Sequence, residues 1–201
     1  MTTTPSRLCL NGVHHTARPT WKLQETVEFY RDVLGLPLLH AISARGWGPS
    51  EHPDFLHFFF DSGNGSTIAF FYYLGDEQPE RLVHQPVYDN DAIHTAWQVR
   101  TREELLAWRT RLEQHGVPIL YQIAHEVIES VYFRDPNGYY LEVTLQTRPF
   151  NALDAHDAEL TMQAAVAEEQ RRVAQGEGRL RKIDSVWRAK GELIAQAEAG
   201  A

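Results

Sequence analysis

Val13–Ala17 reads VHHTA and Ala92–Ala96 reads AIHTA, and this recurrence decides the fold, because the pattern of elements behind the first stretch is repeated behind the second. The leading apolar runs, Leu8–Ala17 and Ile93–Val99, are strand-like. Behind the first, Trp21, Val27, Phe29, Tyr30, Val33 and Leu34 recur at helical spacing and stop at Gly35, in the triplet GLP. Behind the second, Leu105, Trp108 and Leu112 do the same and stop at Gly116, in GVP. Three apolar or alternating runs come after each helix: Leu36–Ala44, Phe55–Asp61 and Thr67–Leu74 in the first half, Ile119–Ile123, Ser130–Arg134 and Tyr139–Leu145 in the second. A turn enters each final run, SGNGS after Asp61 and PNG after Asp135. The unit βαβββ therefore occurs twice, at a period of 79 residues (94 − 15, between His94 and His15). One such unit exposes a sheet face that it cannot cover alone, so the two are expected to associate and line a shared concavity. The expected fold is α+β: two tandem βαβββ modules forming a cupped mixed sheet.

Module 1 is expected over about residues 8–75 and module 2 over about 92–146, together one domain of residues 1–150. Residues 151–201 change character: rich in Ala, Glu, Gln and Arg, with a break at Gly176–Gly178, they predict a C-terminal extension of two helices. With 27 acidic against 19 basic residues the formal charge is −8, which disfavours a phosphate backbone as partner, so nucleic acid is not expected. Cys9 is the single cysteine and has no internal partner for a disulfide. The opening MTTTPSRLCLNG carries neither a basic segment nor a long apolar run, and the expectation is a cytoplasmic protein without a membrane partner.

Ten histidines are the compositional oddity. His15 and His94 hold equivalent places on the leading strands, so the pseudo-twofold relation between the modules is expected to bring the two imidazoles close together, and Glu142, on the last strand of module 2, to add a carboxylate from the side. Two imidazoles and one carboxylate on one face of a metal leave the opposite face open, an arrangement suited to non-haem Fe(II) that holds a substrate and O₂ together. Aromatic side chains at Phe58, Phe60, Phe70, Phe71, Tyr72, Tyr73 and Trp97 are candidates for a dry wall, although alternation sends half of any strand to the other face.

The stretch IAHEVIESVYFRDPNGYYLE, Ile123–Glu142, resembles the signature of the type I extradiol ring-cleaving dioxygenases, with His125, Val131, Tyr132, Asp135, Pro136, Gly138 and Glu142 in its successive positions. More widely, VHHTA, FYRDVLGL and AIHTAWQV resemble the vicinal oxygen chelate superfamily over about residues 8 to 146. The resemblance implies His15, His94 and Glu142 as ligands of Fe(II), or of Mn(II). It prefers His15 to His14 by its distance to Phe29 and Tyr30; a bulge in the strand would invert that choice. It also implies that His125 and Tyr132 hydrogen-bond to bound substrate and oxygen. The sequence departs from the larger ring cleavers in lacking an acid/base histidine near Ser66, for which His57 is the substitute candidate, ahead of His40 and His84. It departs from glyoxalases and epimerases at Ala69, the counterpart of Glu142, where a fourth ligand is missing. The implied activity is extradiol opening of a small aromatic diol with O₂; a homodimer is expected on general grounds. The alternatives are a lyase, isomerase or thiol transferase on the same metal, or a metal-free protein that sequesters an aromatic drug.

Overall fold

The computed structural model describes residues 13–45, 53–79, 92–125 and 127–199. Module 1 runs β1 (His15–Pro19), α1 (Leu23–Glu28), β2 (Leu38–Ala44), β3 (Phe55–Gly63) and β4 (Ser66–Tyr73). Module 2 repeats it as β5 (His94–Val99), α2 (Arg102–Gln114), β6 (Tyr121–His125), β7 (Ile128–Arg134) and β8 (Tyr140–Gln146). The expected first strand reached back to Leu8; residues 8–12, with Cys9 and also His84, lie outside the described residues.

Each module forms one four-stranded mixed sheet, in the orders β1-β4-β3-β2 and β5-β8-β7-β6. In both, the leading strand runs parallel to the last strand while the other pairs are antiparallel. The α+β fold of two βαβββ modules is therefore present. Gly35 and Gly116 come after the two helices at φ values of 71° and 72°, a left-handed conformation that a side chain disfavours, which is why both helices stop where glycine stands. One departure from simple periodicity lies just beyond α1. Phe29–Val33 form a wider π-helical turn, with Leu34 N–H donating to the Phe29 carbonyl, and the adjacent Phe29 and Tyr30 are both buried. Thr101 caps α2 reciprocally with Glu104, as the sequence TREE invites.

One face of each sheet carries the core. Phe58, Phe60, Ile68 and Phe70 from module 1 join Val131, Phe133, Leu141 and Val143 from module 2, with Tyr30, Leu105 and Leu112 from the helical segments. The faces turned away from this core are the ones left for chemistry.

Contacts divide the chain into Met1–Thr147 and Arg148–Ala201. The second unit is an α-helical pair, α3 (Ala152–Ala174) and α4 (Ile183–Ala199). Asn151 caps α3 reciprocally with Asp154, and Lys190 of α4 pairs with Asp157 of α3 at 2.5 Å. No helix among the described residues is long and apolar enough to cross a membrane.

Candidate metal centre

Register builds the centre. In module 2 the parallel pairing sets His94 opposite Tyr140 and Ala96 opposite Glu142, and the antiparallel pairing sets Tyr132 opposite Glu142. Side chains alternate, so His94, Tyr140, Glu142 and Tyr132 share the face turned from the core. His94 Nε2 lies 3.1 Å from Glu142 Oε2. Two donors bound at about 2.1 Å to one ion and at right angles stand about 3.0 Å apart, so this spacing suits neighbouring ligands of one divalent cation. The chemistry of the pair suits it too. Glu142 is 3% exposed, and a buried carboxylate demands a positive partner or hydrogen-bond donors. It has the imidazole and a hydrogen bond with the Tyr132 hydroxyl.

Tyr132 is itself buried, and that burial raises its pKa against the lowering effect of a hydrogen bond with Ser130. Its hydroxyl thus stays protonated at neutral pH and remains a donor. Two tyrosines that sequence reasoning missed flank it: the Tyr121 and Tyr140 rings lie 4.7 and 5.2 Å from that of Tyr132, and their own hydroxyls are paired with each other. The pairing of β6 with β7 is what adds Tyr121, which lies ahead of the signature, to the Tyr132 and Tyr140 rings.

In module 1 the same register sets His15 opposite Thr67 and Ala17 opposite Ala69. His15 and His94 are therefore structural equivalents, and Ala69 occupies the place that Glu142 holds in module 2. The neighbours of His15 are the ring nitrogen of His14, at 2.9 Å, and the rings of Phe59 and His57, at 5.8 and 6.4 Å. Within one chain, among the described residues, no three His, Cys, Asp or Glu side chains come together in a way that could hold a metal. Both sheets give their helix side to the common core, so the two ligand faces do not share that core as a meeting place. The structure brings Glu142 to His94 but, against the expected meeting of both imidazoles, leaves His15 on the open face of its own sheet, because the modules bury their helix sides against each other.

His57 is 7% exposed and stacks on Phe71, with ring centroids 3.7 Å apart. Its Nδ1 lies 3.0 Å from the Phe70 carbonyl; a carbonyl only accepts, so Nδ1 carries the hydrogen and Nε2 keeps its lone pair. Burial, aided by nearby His15 and His40, pushes its pKa down against the effect of that hydrogen bond. His40 packs over Phe59. The His125 side chain lies outside the described residues. Of the candidate aromatic wall, Phe58, Phe60 and Phe70 lie in the core, and Tyr72 and Trp97 pack against it. Phe71 and Tyr73 stack on each other beside His57.

The family model for the Glyoxalase/Bleomycin resistance protein/Dioxygenase superfamily matches residues 12–143. The chain belongs to this superfamily. A Bacillus subtilis (strain 168) protein named "Putative ring-cleaving dioxygenase MhqO" is 27% identical over 137 residues, covering 66% of this chain and 39% of the relative. The chain thus spans about two fifths of that relative's length. A crystal structure described as a "putative dioxygenase" from B. subtilis subsp. subtilis str. 168 superposes with a TM-score of 0.51 at 27% identity, over 67% of this chain and 40% of that one. A glyoxalase/dioxygenase from Nostoc punctiforme reaches a TM-score of 0.52 at 19% identity, over 73% of this chain and the whole of that one, a likeness of fold.

Proposed function

We propose that the protein is a metal-dependent extradiol dioxygenase that opens the ring of a small catechol-type substrate with O₂, both oxygen atoms entering the product. The observation that carries this reading is the buried Glu142 carboxylate 3.1 Å from His94 Nε2, beside a hydroxyl donor on an open sheet face. The superfamily and the similarity to a protein named for ring cleavage support it. In this reading His94 and Glu142 hold Fe(II), or Mn(II), and the partner subunit's His15 completes the set in a homodimer, because the ligand face of module 1 is open and lacks its own carboxylate at Ala69. The metal, when bound, lowers the pKa of the diol and relays electron density from the ring to O₂.

The remaining work belongs to side chains. Tyr132 is protonated and its single O–H is held by Glu142; once Glu142 ligates the metal, that O–H swings from the carboxylate to the bound diol or oxygen, with His125 as the second donor. His57, neutral and with Nε2 free to accept, takes the proton that the diol loses and returns it as the ring opens. It travels with His15, the residue whose ring lies 6.4 Å away. Phe71 and Tyr132 provide aromatic surface that shields the reaction from water. The isomerase and lyase reading requires a fourth protein ligand where Ala69 stands.

The test is anaerobic loading with Fe(II), then a screen of catechols on an oxygen electrode. Stoichiometric O₂ uptake with a new visible absorbance is expected. Glu142→Gln and His94→Ala should lose both iron and uptake, whereas Tyr132→Phe should keep iron and slow turnover about 10–100-fold. Turnover that proceeds unchanged without O₂ would refute the assignment.

A further inference from the structure

Behind the His94 and Glu142 strands, on the opposite side of the sheet, lies a cavity of about 160 Å³ at the seam between the modules. Leu34 and Leu36 wall it from module 1; Trp97, Val99, Trp108 and Val143 wall it from module 2. Trp97 and Val143 are register partners, one step along from the Ala96–Glu142 pair, so alternation points them away from the metal ligands. Gln98 also borders the cavity; alternation turns its side chain to the ligand face, leaving its backbone at this side.

From this we infer a second binding site, distinct from the ligand face, for a small unhydroxylated monocyclic arene. Three observations fix that chemistry. The volume matches the cavities of about 150 Å³ that, in an unrelated protein, stay dry and take up benzene or xenon. Two indoles among aliphatic side chains favour an aromatic ring, which they meet edge-on or offset. The third concerns polarity. The Trp97 indole N–H already donates to Ser62 Oγ at 2.8 Å, and apart from the Trp108 indole the other lining side chains are hydrocarbon. A diol entering here would leave hydroxyl groups unpaired, so the site selects against the compounds that the ligand face takes and for their unhydroxylated analogues. Because its walls come from both modules, an occupant bridges them and stabilises the folded pair.

The inference needs neither metal nor turnover, so it stands or falls separately from the catalytic reading. Benzene is titrated into the full-length protein, with binding followed by calorimetry and by thermal unfolding. Saturable binding is expected, with the midpoint raised about 3–6 °C at tenfold the dissociation constant. Leu36→Trp, which fills the cavity from its module 1 side, should weaken binding about tenfold or more, and His94→Ala should leave it unchanged. Absence of saturable binding, equal binding by a folded Leu36→Trp protein, or loss in His94→Ala would each overturn the site. Should Leu36→Trp not fold, location is read in the wild-type protein from methyl resonances. Benzene-induced shifts at Leu34, Val99 and Val143 support the site, and shifts confined to residues of the ligand face refute it.

Discussion

His57 is held neutral by its surroundings, and the consequence is measurable. Its folded-state pKa is depressed below the ordinary 6.5, with burial the largest cause. The unfolded chain therefore binds the proton first on acidification, and stability contributed above pH 6.5 is lost as pH falls toward the folded-state value. Urea unfolding of the apoprotein should show a lower midpoint at pH 5.5 than at pH 7.5, and His57→Gln should narrow that difference; an unchanged difference would mean that other groups carry the acid sensitivity. At this scale the sequence was informative for His94, Glu142 and Tyr132, since a signature with a fixed turn before Glu142 leaves the register of β8 little freedom. The tautomer of His57 was not legible, because it depends on the Phe70 carbonyl and the Phe71 ring, which only the pairing of β3 with β4 delivers. For the same reason five of the seven proposed wall residues turned out to lie in the core or against it: composition names aromatic strands, and pleat direction assigns their faces.

The turn between β7 and β8 does more than reverse the chain. Asp135 Oδ1 accepts the backbone N–H groups of Asn137 and Tyr139, both at 2.9 Å, while Oδ2 accepts the Tyr30 hydroxyl at 3.1 Å. Asn137 reaches into module 1: its Oδ1 accepts from the Thr20 hydroxyl at 2.9 Å, and its Nδ2 donates to Thr26 Oγ1 at 2.9 Å. Tyr139 donates to the Pro19 carbonyl at 2.8 Å. This turn thus grips the segment between β1 and α1 and fixes where β8, with Glu142, begins. Burial, the largest influence, raises the Asp135 pKa although four hydrogen bonds act to lower it. Asn137→Ala strands buried donors and acceptors on both modules and should cost about 1–3 kcal/mol, read as a lower urea midpoint with an unchanged far-UV spectrum. Gln24→Ala, on the exposed face of α1, should change stability by less than about 0.5 kcal/mol. DPNG was recognisable as a strand-entry turn. Its hold on α1 was not, since the partners are more than one hundred residues away in sequence and are ordinary Thr and Tyr.

At the scale of the molecule, the repeat was legible because matched signals, histidine, helix, glycine stop and turn, recur in the same order. The division of His15 from His94 and Glu142 was not, because it depends on which sheet faces the modules bury against one another. That division makes the homodimer testable. His15→Ala and Glu142→Gln should each be inactive alone. Equal co-expression yields half heterodimers, each with one site that has lost neither ligand, so about a quarter of wild-type activity should return if the ligands come from two chains. No recovery would assign all three ligands to one chain. The parallel pairing of first strand with last has a further consequence during synthesis. His15 waits 52 residues for Thr67 (67 − 15), and His94 waits 46 for Tyr140 (140 − 94). A nascent chain therefore leaves the ribosome with each histidine strand unzipped until its module is nearly complete, and loop-closure entropy must be met before Glu142 reaches its imidazole. A stalled or truncated product ending before β8 would carry His94 without the Glu142 carboxylate beside it, and so with the proposed ligand pair unmade.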